Sequence, residues 1–72
     1  MEKTQKNFDK LCKTIEENSC YRYTAGTDEF SAFFVPIDIQ TKQVLDTPFE
    51  VEWPKLIKLA ELLKNKPLSI KR

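Results

Sequence analysis

Histidine is absent from this chain, and glycine occurs once, at Gly26. Without histidine, the commonest general base and the usual partner of a nucleophilic serine or cysteine are both missing. A phosphate-cradling loop and a dinucleotide fingerprint each need several glycines for close backbone approach, so neither can form. The two cysteines, Cys12 and Cys20, make no CxxC pair. With no histidine to complete a zinc ligand set, no metal or other cofactor is expected. The longest apolar run is Ala32 to Val35, followed by Pro36 and Ile37. It falls far short of the roughly 20 residues a membrane-spanning helix needs. Met1 to Lys13 mixes charged with apolar residues and does not read as a secretory signal. Cytoplasmic residence with reduced thiols is the expectation.

What is present suits one small folded domain over residues 1–72, with 40% hydrophobic and 32% charged residues. A chain this short buries only roughly 60% of its unfolded surface, and its core consumes most of the apolar side chains. Little remains to build a deep pocket, so an enzyme is the least expected class.

Phe8, Leu11, Cys12 and Ile15 recur at helical spacing, with Asp9, Lys10, Lys13, Glu16 and Glu17 opposite. They predict an amphipathic helix capped by Asn7 and ended near Asn18 and Ser19. Cys20 to Ala25 is rich in β-formers and leads into the turn residues Gly26-Thr27-Asp28. A second strand is expected from about Phe30 to Ile39, with Phe33, Val35, Ile37 and Ile39 on its apolar face. Pro36 lacks a ladder donor, which predicts an edge strand or a bulge there. After a polar hairpin loop, Gln40 to Gln43, the residues Leu45, Phe49, Val51 and Trp53 alternate with polar ones as a third strand. Pro54 suits the first turn of a second helix, Leu56 to Leu63, stopped by Asn65 and Pro67. The expected fold is α+β, in the order α-β-β-β-α, with two helices packed on one face of a three-stranded antiparallel sheet. Residues 66–72 read as a flexible basic tail, or Leu68 to Arg72 as a short extra strand.

Charge is polarised along the chain. Residues 28–52 carry Asp28, Glu29, Asp38, Asp46, Glu50 and Glu52 against Lys42, a net −5. Residues 53–72 carry Lys55, Lys58, Lys64, Lys66, Lys71 and Arg72 against Glu61, a net +5. Glu50 and Glu52 read as the solvated face of the third strand. The lysines suit either a helix C-terminus or an acidic partner, with Lys64, Lys66, Lys71 and Arg72 as the electrostatic contact. The second helix is apolar over more than half its circumference, a surplus that either packs deeply or forms a partner or dimer surface.

If the helices cover the odd face of the second strand, Phe30 and Phe34 stand open beside Tyr21, Arg22 and Tyr23. Such a patch suits a protein contact. It equally suits stacking on single-stranded nucleic acid. The element order is similar to that of the double-stranded-RNA-binding domains. That family places a glycine and a lysine cluster where this chain reads Glu50-Val51-Glu52-Trp53-Pro54-Lys55. Two acidic residues there would face the phosphates, and the family's function is not carried over.

The favoured expectation is a non-enzymatic accessory or inhibitor-like protein that binds a protein partner through Tyr21, Arg22, Tyr23, Phe30 and Phe34, with a homodimer as a variant. The alternative is a single-stranded nucleic-acid-binding accessory protein using the same face and the basic tail. A redox-responsive pair of Cys12 and Cys20 is a third reading, which requires their Cα atoms to lie within roughly 7 Å.

Overall fold

Helix α1, Gln5–Glu17, begins where a threonine rather than an asparagine supplies the cap. Thr4 Oγ1 accepts from the backbone N–H of Asn7, and the Asn7 side chain instead donates to the carbonyl of Glu2. The structure, a computed structural model, describes residues 2–66. The stripe Phe8, Leu11, Cys12 and Ile15 is buried, as the periodicity predicts. At its other end α1 has no glycine to turn the chain, and polar side chains take the carbonyls a helix terminus leaves free. Asn18 Nδ2 donates to Thr14, Ser19 Oγ donates to Ile15 at 2.6 Å, and Arg22 Nη1 donates to Glu16.

Strand β1, Tyr21–Gly26, pairs antiparallel with β2, Ala32–Pro36, which pairs antiparallel with β3, Phe49–Val51. The sheet order is β1-β2-β3, so β2 is central and not an edge. Pro36 is tolerated because it is the last residue of the strand, where no further ladder donor is required. The irregularity expected of it falls instead on β1, where the register shifts between Tyr23 and Ala25. The outer edge of β1 is closed by local acceptors. Its Tyr21 N–H donates to Ser19 Oγ and its Tyr23 N–H to Glu16 Oε2. Both would otherwise template pairing with another strand.

Helix α2, Trp53–Asn65, has its proline in the first turn, and Trp53, Leu56, Ala60 and Leu63 are buried. Both helices contribute to one core with Ala32, Phe34 and Val51 of the sheet. The arrangement is the expected one, two helices and a three-stranded antiparallel sheet in the order α-β-β-β-α.

The face of β2 that points to the helices is the reverse of the expected one. Ala32 and Phe34 are both fully buried, whereas Phe33 is half-buried. The odd face looked richer because Ile37 and Ile39 were counted on it, but β2 ends at Pro36. The neighbouring strands then decide, because Tyr23 and Phe49 flank Phe34 in register, with Val51 beside Ala32. The third strand is also shorter than expected. Val44 forms only an isolated bridge with Ile37, and Leu45 is exposed.

Candidate binding surfaces

Seven of the eight aromatic residues form one chain of contacts through the core. Trp53 meets Phe30 at 5.9 Å between ring centroids, Phe30 meets Phe8 at 5.7 Å, and Phe8 meets Tyr23 at 6.2 Å. From Tyr23 the chain continues through Phe34 and Phe49 to Tyr21. Most pairs are edge-to-face, the arrangement the ring quadrupole favours. At Gly26, the only glycine, this packing closes on the backbone. A Cβ there would lie 2.6 Å from Tyr23 Oη and 3.1 Å from the Phe8 ring.

The expected open aromatic face is therefore corrected. Phe34 is wholly buried, Phe30 and Tyr21 are half-buried, and only Tyr23, at 40% exposure, presents much of itself. Arg22 is turned to the backbone, its Nη1 donating to the carbonyls of Glu16, Ser19 and Tyr21. A base-stacking platform needs ring faces open to solvent, and this one is closed. Lys64 is exposed beside Lys10 and Glu61 along a shallow hollow between the helices. Lys66 is the last described residue; Lys71 and Arg72 lie outside the described residues.

Cys12 and Cys20 are free thiols. Burial, then the charges of Asp9 and Glu16, push the Cys12 thiol up to about 12. It stays protonated at neutral pH and is a poor nucleophile. Among the described residues no three or more cysteine, aspartate or glutamate side chains are placed so that they could hold a metal ion, and no helix is long and apolar enough to cross a membrane.

Two concavities sit at the two ends of α2. At its C-terminal end Tyr21, Leu59, Leu62, Leu63 and Lys66 line an apolar groove of about 300 Å³. Leu62 is 66% exposed there. Lys58 and Lys66 stand one turn before and one turn after it on the same helical row. At the N-terminal end a cleft of about 420 Å³ opens between the β1–β2 hairpin and the start of α2. Phe30 and Trp53 line it with Ser31, and its other lining residues include the acidic Asp28, Glu29, Glu50 and Glu52 and the basic Lys3. Phe30 reaches it from a left-handed conformation, φ 61°. Its N–H bonds the Thr27 carbonyl and Thr27 N–H bonds that of Ser31, which makes Asp28-Glu29-Phe30 a three-residue hairpin loop. Glycine ordinarily holds the left-handed position of such a loop. Here contacts with Phe8 and Trp53 hold a phenylalanine in it.

Sequence reasoning did not find either concavity. The apolar surplus on the second helix signalled the groove, without saying that Leu62 was the residue left over. Glu50 and Glu52 read in sequence only as the solvated face of a strand, and nothing local places the distant Phe30 and Ser31 beside them. The chain matches no protein-family model, no curated protein and no solved structure.

Proposed function

We propose that this chain is a small non-enzymatic binding module, an accessory or inhibitor-like protein that occupies an acidic, partly apolar surface of a protein partner in the cytoplasm. The observation that carries this reading is Leu62, a large aliphatic side chain 66% exposed over the groove. Isolated exposed leucines are ordinary, but this one adjoins an apolar hollow that Lys66 also lines, with Lys58 one turn earlier on the helix. An aliphatic anchor with a lysine one turn to either side fits a partner with a hydrophobic site and a carboxylate on its rim. The absence of histidine and the protonated Cys12 thiol support a non-catalytic role. The two free thiols suit a reducing compartment.

The test compares wild type with Leu62→Glu in capture from native lysate, with half of each sample treated with nuclease, followed by titration against the protein recovered. The variant should bind the partner at least about fivefold more weakly, since an anchor residue contributes about 1–3 kcal/mol. Its folding stability should stay within about 0.5 kcal/mol of wild type, as for other exposed sites. Unchanged affinity in the variant overturns the assignment of this surface. Capture abolished by nuclease overturns the protein-partner reading in favour of nucleic acid.

A further inference from the structure

The cleft at the other end of α2 has a different chemistry. A helix of 13 residues is about 20 Å long, so the groove and the cleft are separate surfaces. We infer that the cleft binds the guanidinium of an arginine side chain presented by a peptide.

Charge selects the sign of the ligand. Four carboxylates line the cleft against one ammonium, that of Lys3. The N-terminus of α2 adds only about half a positive charge. Glu52, although it is the N-cap residue, makes no side-chain hydrogen bond to the helix. Its carboxylate is therefore not committed to the helix end. An anion is repelled here and a cation is attracted.

Two further observations select the kind of cation. Phe30 lines the cleft half-buried and edge-on to the Trp53 ring at 66°, so a flat cation meets the part of Phe30 left uncovered, while Trp53 is only 9% exposed beneath it. Ser31 lines the same cleft and is only 6% exposed. Its backbone N–H is satisfied by Thr27 Oγ1, but among the described residues its hydroxyl has no hydrogen-bond partner. No fully buried polar side-chain atom of the described residues lacks a partner, so this hydroxyl keeps some access to solvent, and it does so at the cleft. As an acceptor it is open to a donor in place of water. A guanidinium is planar, weakly hydrated and carries N–H donors around its edge, so it packs flat on the uncovered part of Phe30 while donating to Ser31 and the surrounding carboxylates. An ammonium has a compact, strongly hydrated charge and cannot do both.

Trp53 is the chain's only tryptophan, so its indole signal is assigned without ambiguity to a residue that lines the cleft. The experiment titrates the whole 72-residue chain with the amide-capped tripeptide Gly-Arg-Gly, following the Trp53 indole N–H by NMR. Saturable shifts are expected with a dissociation constant on the order of 1 mM, the weak affinity of one cation at a solvated aromatic site. The same tripeptide with uncharged citrulline in place of arginine should bind at least about tenfold more weakly, having lost the charge-assisted contacts. The double variant Glu50→Gln/Glu52→Gln should lose a similar factor, and Ser31→Ala a smaller one, with circular dichroism and melting temperature unchanged. An unmoved or non-saturating Trp53 signal overturns the proposal, as does equal binding of the citrulline peptide or undiminished binding by the double variant. Equal binding of Gly-Lys-Gly overturns the assignment to a guanidinium. The Leu62→Glu chain should bind the arginine tripeptide as wild type does, which keeps this result independent of the groove.

Discussion

Phe34 illustrates how one side chain fixes what the surrounding surface can do. It is fully buried, between Tyr23 on β1 and Phe49 on β3, and touches the aromatic chain on both sides. Phe34→Ala should therefore cost about 3–5 kcal/mol, from lost transfer free energy plus a cavity that close-packed neighbours cannot fill. Urea unfolding is the measurement, and a loss below about 1 kcal/mol would mean that the ring is not core. In a domain this size such a loss is a large share of the roughly 5–15 kcal/mol a folded protein has. Arg22 gives a similar lesson. In sequence it read as a contact residue, yet its guanidinium is engaged by three backbone carbonyls at the end of α1.

At the level of elements, the junction between α1 and β1 carries more of the architecture than its composition suggested. Ser19 is fully buried and works in both directions, donating to Ile15 O and accepting from the Tyr21 N–H. It ends the helix and aligns the first residue of the strand. Ser19→Ala leaves the Tyr21 N–H without its partner, and the Ile15 carbonyl with the Asn18 N–H alone, and should lower stability by about 1–3 kcal/mol. Chemical denaturation measures it, and hydrogen exchange should quicken first at Tyr21. The helices were legible because 3.6-residue periodicity is carried by the residues themselves, and the buried stripe of α1 is the predicted one. The strands were less so. Both faces of β2 carry apolar side chains, and period-two alternation names the faces without saying which one the helices cover. The groove and the cleft were less legible still. Each assembles residues from separate elements, such as Tyr21 with Leu62 and Ser31 with Trp53.

For the whole molecule, the buried thiol couples folding to alkaline pH. Cys12 rises from an ordinary 9.0 to about 12 in the folded chain, chiefly through burial and then through Asp9 and Glu16. The unfolded chain loses this proton first as pH rises. Stability from this group is complete below about pH 9 and declines as pH climbs toward about 12, by at most ~1.4 kcal/mol per pH unit. Tyr23, whose hydroxyl is raised by partial burial and by the charges of Cys12 and Asp9, acts in the same direction. Thermal melts from pH 8 to 11 should show a falling midpoint, and Cys12→Ala should flatten the fall. An equally steep fall in the variant would assign it to other groups.

Local sequence information determined the element order, the apolar stripe of α1, the start of α2 at its proline, and the exclusion of nucleotide-loop and histidine-dependent chemistry. These depend on residue type and on spacing within one segment, so no distant contact is needed to read them. The tertiary structure alone decided which face of β2 turns inward, that Phe34 is core and Leu62 is not, and that Ser31, Phe30 and Trp53 share a cleft with four carboxylates. Side-chain exposure is a property of what packs on top, and two apolar faces of a strand are equivalent until the neighbouring strands and helices choose between them.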